Sequence, residues 1–130
     1  MPDLKIIKDF PDDFTFGVAT SSYQIEGNSF GNSGLSHWDC FSKIKGNVYN
    51  NESGKIACAH ILNYKEDIKL ISEAGFSAYR FSFSWPRILP DGKGRINQDG
   101  ISFYDKLIDE ILENNLKTFS TLYHWDLPKN

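Results

Sequence analysis

The sequence FSAYRFSFSW, residues 76–85, alternates between large aromatic side chains and small or polar ones. A period of two is typical of a β-strand whose two faces meet different surroundings. The aromatic face, which we expect to pack on helices, comprises Tyr79, Phe81, Phe83 and Trp85. Arg80 lies on the opposite face, so the pattern predicts an inward guanidinium that needs an anionic partner or several hydrogen-bond acceptors.

Helical patterns flank this strand on both sides. Residues 61–74 and residues 100–114 place apolar side chains at spacings of three and four, which predicts two amphipathic helices. Gly75 follows the first helix, where a left-handed residue often ends a helix. The two apolar stripes comprise Ile61, Tyr64, Ile68 and Ile71 in the first helix and Ile101, Tyr104, Leu107, Ile108, Ile111 and Leu112 in the second.

Two further segments resemble strands, and together the elements predict an α/β fold. Residues 14–24 precede a long Gly- and Asn-rich stretch, residues 27–54, and residues 117–125 follow the second helix. Strand, loop, helix, strand, helix, strand is the order of consecutive βα units around a parallel sheet. Three strands with two helices leave uncovered edges, so we expect an incomplete fold, with residues 1–130 forming one segment without an internal boundary.

Composition excludes several functional classes. The chain is 40% apolar and 24% charged with a formal charge of −3, which argues against a nucleic-acid partner or an anionic membrane surface. The three histidines are widely separated and Cys40 and Cys58 have no metal-like spacing, so we expect neither a metal site nor a disulfide framework. With no secretory h-region and no membrane-length apolar run, a cytoplasmic location is predicted.

Polar and aromatic residues follow or end each predicted strand. Gln24, Arg80, His124 and Trp125 would meet at one rim, because the carboxyl ends of parallel strands carry the functional residues in a barrel. Sugars need such a set, since each hydroxyl both donates and accepts a hydrogen bond. Three alternatives remain: an internal salt bridge at Arg80, a core histidine at His124 and a loop-bridging amide at Gln24. The 15% aromatic content fits either a large core or sugar stacking.

Three motifs resemble one known family. FTFGVATSSYQIEG at residues 14–27, AYRFSFSWPRI at residues 78–88 and TLYHWDLP at residues 121–128 are similar to the first three strand motifs of the family 1 glycoside hydrolases, the β-glucosidase and phospho-β-glycosidase group. The resemblance covers nearly the whole chain in the same order. It implies a retaining enzyme and identifies the chain as the N-terminal part of a (β/α)8 TIM barrel, holding about three strands and two helices.

The resemblance also implies roles for four residues. Gln24 and His124 match positions that hydrogen-bond hydroxyls of the non-reducing sugar, and Trp125 matches an aromatic residue that lines the same subsite. Arg80 matches the arginine that lies beside the catalytic nucleophile and keeps it ionised. The expected substrate is a β-glucoside or a related sugar, with no cofactor. Galactosides, fucosides and phospho-glycosides stay open as alternatives, because their recognition depends on other residues.

The catalytic carboxylates are expected outside this chain. Retaining hydrolysis uses two carboxyl groups about 5 Å apart, one as nucleophile and one as acid/base. The resemblance implies that both are glutamates on later strands, in motifs that do not occur here. The glutamates that are present lie on predicted helices or in loops, namely Glu26, Glu52, Glu66, Glu73, Glu110 and Glu113.

The 130 residues alone are therefore expected to be inactive. One alternative is a non-catalytic fragment that assembles with a complementary C-terminal chain carrying the rest of the barrel, or that self-associates through exposed barrel edges. Another is a stand-alone sugar-binding module.

The chain departs from the family pattern before the first long helix. Ala59, Ile61 and Leu62 stand where the family commonly has an acidic residue, an aromatic residue and a histidine. An acidic residue at position 59 would cap the helix, a contribution of about 1 kcal/mol. We therefore expect the packing at the helix start to be affected more than sugar recognition.

Overall fold

The computed structural model describes residues 10–129, which form one three-stranded sheet with helices on it. The strands β1 (Gly17–Ala19), β2 (Ala78–Ser82) and β3 (Lys117–Thr121) are parallel and lie in the order β1-β2-β3. The helices within the described residues are α1 (Ser22–Ile25), α2 (His37–Ser42), α3 (His60–Glu73), α4 (Trp85–Ile88) and α5 (Gln98–Glu113). A single 3-10 turn covers Tyr49–Asn51. The predicted parallel βα architecture is confirmed.

The central strand β2 organises the core. In β2, Arg80 pairs with Ala19 of β1 and with Phe119 of β3. Tyr79 and Phe81 of β2 pack against α3 and α5 as the alternation predicts, and Phe83 packs against the same core. The prediction was wrong for Trp85, which lies on α4 and is 38% exposed. The buried cluster comprises Ile68, Tyr79, Phe81, Phe103, Tyr104, Leu107, Ile111 and Leu116.

Both long helices lie close to their predicted ranges, and Gly75 adopts the left-handed conformation expected after α3, with φ +83°. The predicted stripe of α5 was wrong at one position. Leu112 is exposed, because it lies 100° around the helix from the buried Ile111. That residues 1–130 form one unit stays a prediction, because both ends lie outside the described residues. Most of the N-terminal segment on which the cytoplasmic prediction depends also lies outside them.

All three strands are shorter than predicted, because the chain turns at the carboxyl end of each. After β1, the N–H of Ser22 bonds the Ser82 hydroxyl at 2.9 Å and begins α1. After β2, Pro86 lies in the first turn of α4, where its missing N–H would be unpaired in any case. Of the residues predicted at the strand ends, Gln24 therefore lies on a short helix and His124 and Trp125 lie in a turn, whereas Arg80 stays within β2.

The long Gly- and Asn-rich stretch contains a helix that periodicity did not reveal. Ser36 and Asp39 form a reciprocal capping box at the start of α2. This spacing of a serine and an acidic residue three positions later is a recognised start signal. A hydrogen bond joins the start of α2 to the segment after β3, since the N–H of His37 donates to the Leu127 carbonyl at 2.9 Å. In residues 10–129, no helix is long and apolar enough to cross a membrane.

The start of α3 has the weakness expected from Ala59. This residue is the N-cap and makes no side-chain capping bond, and its backbone is left-handed with φ +51°. An L-residue with a Cβ atom loses roughly 1–2 kcal/mol in that conformation.

We predict that Ala59→Gly raises the free energy of unfolding by about 1 kcal/mol, because glycine adopts positive φ without a clash. Thermal unfolding measures the change. Ala74→Gly is the matched control, since Ala74 ends the same helix with a right-handed φ of −72°. There glycine should lower stability by about 0.5–1 kcal/mol. Equal effects of the two substitutions would contradict the assignment of strain to Ala59.

Candidate functional site

Hydrogen bonds join the carboxyl ends of all three strands. The Ser82 hydroxyl at the end of β2 donates to Ser22 Oγ at 3.3 Å. Ser22, which follows β1, donates through Oγ to Asp126 Oδ2 at 2.9 Å. Asp126 lies after β3, and all three side chains are buried. The strand ends therefore form one connected rim, although its hydrogen bonds are made by Ser22, Ser82 and Asp126 and not by the predicted site residues.

Gln24 lies on α1 at this rim. Its side chain is exposed and its Oε1 accepts a hydrogen bond from Ser21 Oγ at 2.7 Å. It borders an open cleft of about 340 Å³ whose apolar wall includes Tyr23, Trp38 and Phe41. Gln24 was assigned to a strand end, whereas the structure places it on a helical turn beyond the strand.

His124 and Trp125 lie in the turn after β3. Their rings stack with centroids 5.7 Å apart and planes at 13°. His124 is half-buried, whereas the Trp125 side chain is 66% exposed and its backbone is left-handed. The Trp125 carbonyl accepts a hydrogen bond from Trp38 Nε1 at 2.8 Å. This bond links the turn to the cleft that Gln24 borders.

Arg80 lies on the face of β2 opposite Tyr79 and Phe81, as the alternation predicts. It is half-buried, and among the described residues its side chain makes one hydrogen bond, from an Nη atom to the Thr20 carbonyl at 3.4 Å. No ion pair forms between Arg80 and a carboxylate within residues 10–129. The internal salt bridge considered for Arg80 is therefore absent from the described part of the chain.

A different arginine holds the buried charge. Arg87 is 1% exposed, and its Nε donates to Glu26 Oε2 at 2.8 Å. Its two Nη atoms donate to the carbonyls of Phe30 at 2.8 Å and Gly27 at 3.0 Å. The Tyr104 hydroxyl donates to Glu26 Oε1 at 2.8 Å and accepts from the Ser84 N–H at 2.6 Å. Every polar atom of the Glu26 carboxylate thus has a partner.

Burial sets the electrostatics of this network. It raises the pKa of the Glu26 carboxyl, while the Arg87 guanidinium and the Tyr104 hydroxyl oppose the rise. Burial also raises the pKa of Tyr104 well above its usual range, and the neighbouring Glu26 charge adds to the effect. Tyr104 therefore stays a neutral donor. Burial raises the pKa of Asp126 as well, and the hydrogen bond from Ser22 opposes the rise.

Sequence reasoning missed Glu26, Arg87 and Asp126 as organising residues. The partners Glu26 and Arg87 are 61 residues apart, and no local period relates them. A weak signal was present, because each is a charged residue flanked by apolar neighbours in a segment that leaves a strand. Such residues are rarely buried unless they are paired.

The histidines and cysteines do not gather. Within residues 10–129, no group of three or more His, Cys, Asp or Glu side chains is arranged to hold a metal ion. His60 instead contacts Asp67, with 2.6 Å between Nδ1 and Oδ2, inside α3. Burial lowers the pKa of His60. Cys40 and Cys58 are both unoxidised thiols.

Comparison with known proteins decides the family. A family model described as Glycosyl hydrolase family 1 matches residues 6–130. The chain belongs to glycosyl hydrolase family 1. The resemblance of its strand motifs to that family is confirmed, and the chain corresponds to the N-terminal part of the family 1 enzyme.

Family 1 relatives match over most of this chain and a minor part of their own length. The 1,4-beta-D-glucan glucohydrolase of Thermotoga neapolitana is 53% identical over 123 residues, which are 94% of this chain and 29% of that protein. Beta-glucosidase A of Thermotoga maritima is also 53% identical, over 94% of this chain and 28% of its own length. The chain thus spans less than a third of these relatives.

The fold comparison agrees. A solved structure of the family 1 β-glucosidase from Thermotoga maritima superposes with a TM-score of 0.88 at 53% identity, covering 92% of this chain and 27% of that one. The predicted fold, an incomplete (β/α)8 barrel with its first three strands, is confirmed.

We predict that Arg87→Met lowers the free energy of unfolding by about 3–5 kcal/mol, because the Glu26 charge would stay buried without its partner. Arg95→Met is the matched control. Arg95 is 75% exposed and lies 3.9 Å from Asp91, and such surface pairs contribute about 0–1 kcal/mol. Chemical denaturation of the two variants measures the difference. If Arg87→Met lost no more stability than Arg95→Met, the buried pair would not hold the fold.

Proposed function

We propose that this chain supplies the sugar-binding part of a retaining β-glucosidase that hydrolyses terminal β-linked sugars. The observation that carries the proposal is the hydrogen-bonded rim of Ser22, Ser82 and Asp126, which joins the three strand ends. Gln24 lies two residues beyond Ser22, and His124 and Trp125 directly precede Asp126. Their closeness to the rim in sequence supports a shared site for these three side chains at one end of the sheet.

The chemistry of these side chains suits a sugar. The Gln24 amide and the His124 imidazole each offer both a donor and an acceptor, which matches a hydroxyl group. The exposed Trp125 indole offers a flat apolar surface to a sugar ring. Among the relatives, Thermotoga maritima β-glucosidase has been solved in complex with glucoimidazole and with deoxynojirimycin, which supports a sugar-shaped ligand for this site as well.

In the proposed mechanism, the two catalytic glutamates come from outside these 130 residues. Glu26 is an unsuitable nucleophile because Arg87 and Tyr104 occupy both of its oxygens. Arg80 would lie beside the incoming nucleophile, where a permanent positive charge favours the ionised carboxylate. The half-buried Arg80 side chain makes one hydrogen bond within residues 10–129, to a carbonyl at 3.4 Å. Its remaining capacity to donate supports that role. A cytoplasmic location is part of the proposal and rests on composition alone.

The test is hydrolysis of an aryl β-glucoside by the chain joined to the remaining barrel strands, with the 130-residue chain assayed in parallel. We expect activity from the complete protein only. His124→Ala should lower kcat/KM at least tenfold, about 1.4 kcal/mol, because a sugar hydroxyl loses its partner. Asp109→Ala, an exposed substitution on α5, should leave kcat/KM unchanged. Hydrolysis by the short chain that Glu26→Gln or Glu52→Gln abolished would overturn the assignment of roles.

A second candidate function is assembly with a complementary chain. Strands β1 and β3 each have one unpaired edge within the described sheet. Beside β3, an apolar groove is lined by Phe83, Ile88, Ile101 and Leu122, and the Leu122 side chain is 80% exposed. These surfaces favour a partner that continues the sheet and covers the groove.

For this candidate, we predict that mixing the chain with one carrying the later strands restores hydrolysis. Leu122→Asp should weaken the association at least tenfold, since it puts a charge in the covered groove. Leu62→Asp is the matched control, because Leu62 is 63% exposed on α3 and lies outside the groove. Analytical ultracentrifugation measures the association and also reveals self-association of the chain alone. Saturable quenching of Trp125 fluorescence by glucose in the isolated chain would favour a stand-alone sugar-binding module instead.

A further inference from the structure

Asp126 has an unusual environment for a carboxylate. Its side chain is 1% exposed, and Oδ2 accepts a hydrogen bond from Ser22 Oγ at 2.9 Å. Its Oδ1 is buried and has no hydrogen-bond partner among residues 10–129. A buried polar atom left unpaired costs about 1–3 kcal/mol, and more when it is charged. The geometry therefore calls for a further partner at Oδ1.

A small polar cavity lies next to this side chain. Its volume is about 10 Å³, and its lining includes Ser22, Ser36, Ser84 and Arg87 together with Asp126. Roughly 10–15 Å³ is the space that one water molecule needs, provided that it meets two to four polar groups. The lining offers hydroxyl groups and the carboxylate, so both conditions for a single ordered water are met.

Water fits this cavity better than a cation. The Arg87 guanidinium is part of the lining, and its positive charge would repel a metal ion. Glu26 and Asp39 also line the cavity, but Glu26 is already paired with Arg87, and within the described chain no group of three or more acidic, histidine or cysteine side chains is arranged to hold a metal ion.

The Asp126 side chain also ends a directed chain of hydrogen bonds. The Ser82 hydroxyl donates to Ser22 Oγ, which donates to Asp126 Oδ2. In return, the Ser22 N–H donates to Ser82 Oγ at 2.9 Å. Each of the two hydroxyl groups therefore donates its hydrogen to one defined acceptor. Because these bonds join the segment that carries Gln24 to the segment that carries His124, they hold the two segments at a fixed separation.

We propose that Asp126 is a positioning residue of the sugar site, which holds Gln24 relative to His124 and Trp125 through Ser22 at Oδ2 and one buried water at Oδ1. The inference rests on the proposed function and names what fixes the geometry of that same site. In this proposal Asp126 itself contacts no substrate, because its side chain is only 1% exposed.

The water is tested directly by a crystal structure of the complete protein at about 1.5 Å resolution or better. We expect one water within 3.2 Å, an ordinary hydrogen-bond distance, of Asp126 Oδ1. An empty cavity, a metal ion or a protein donor at Oδ1 would overturn this part of the proposal. The result is independent of whether the protein hydrolyses glucosides.

The positioning role is tested by a double-mutant cycle in the complete protein, with an aryl β-glucoside as substrate. Asp126→Ala should lower kcat/KM at least tenfold. The loss caused by Gln24→Ala should then shrink at least fivefold in the Asp126→Ala background, because Gln24 is already misplaced. Asp126→Asn should retain at least a third of the activity, since its amide keeps an acceptor for Ser22 and a donor for the water. Additive effects of Asp126→Ala and Gln24→Ala would contradict the proposal.

Asp67→Ala is the matched control for loss of a carboxylate that contacts a buried side chain. Asp67 bonds the buried His60 on α3, away from the rim, so its effect should be additive with that of Gln24→Ala.

If Asp126→Ala does not fold, Ser22→Ala provides the same cycle with His124→Ala, and additivity there overturns the proposal equally. A wild-type protein without hydrolysis would refute the proposed function, whereas hydrolysis without coupling would refute only the positioning role.

Discussion

The buried ion pair between Arg87 and Glu26 is the contact on which the other connections of this structure depend. Its two side chains are 1% and 4% exposed, and charges so far from water persist only when they are paired and hydrogen-bonded. Arg87 meets that requirement with Glu26 and with two backbone carbonyls, whereas Glu26 adds the Tyr104 hydroxyl. The pair thereby fastens the segment after β1 to the segment after β2 and to α5.

This anchoring explains how a long Gly- and Asn-rich stretch adopts one conformation. Gly27 presents its carbonyl to Arg87 with φ +82°, and a Cβ atom there would lie 2.5 Å from the Ile56 carbonyl oxygen. Only glycine fits both the backbone conformation and the close approach. Because the loop is fixed by polar contacts rather than by an apolar core, β1 needs only three residues to place α1 and Gln24 at the rim.

The sequence predicted what depends on local period and failed where distant segments meet. The stripe of α3, the stripe of α5 except at Leu112 and the alternation around Arg80 were correct, since burial of one face imposes those periods. Alternation could not locate the strand ends, because Ser22 and Pro86 turn the chain through contacts with other segments. The buried charge was expected at Arg80, yet the structure buries Arg87, whose partner is 61 residues away. Gln24, His124 and Trp125 were selected by their position at predicted strand ends, and the family resemblance implied their roles.

The two arginines of the second strand motif have opposite electrostatic situations. The positive charge of Arg87 is balanced by Glu26 inside the described chain. The Glu26 carboxylate therefore stabilises the fold. Arg80 is half-buried with one carbonyl acceptor at 3.4 Å, although a guanidinium carries five N–H donors. Such a group gains most from a carboxylate that arrives from another segment. The two charges are thereby kept apart, because the carboxylate that balances Arg87 lies within the described fold, whereas the role proposed for Arg80 needs a carboxylate from another segment.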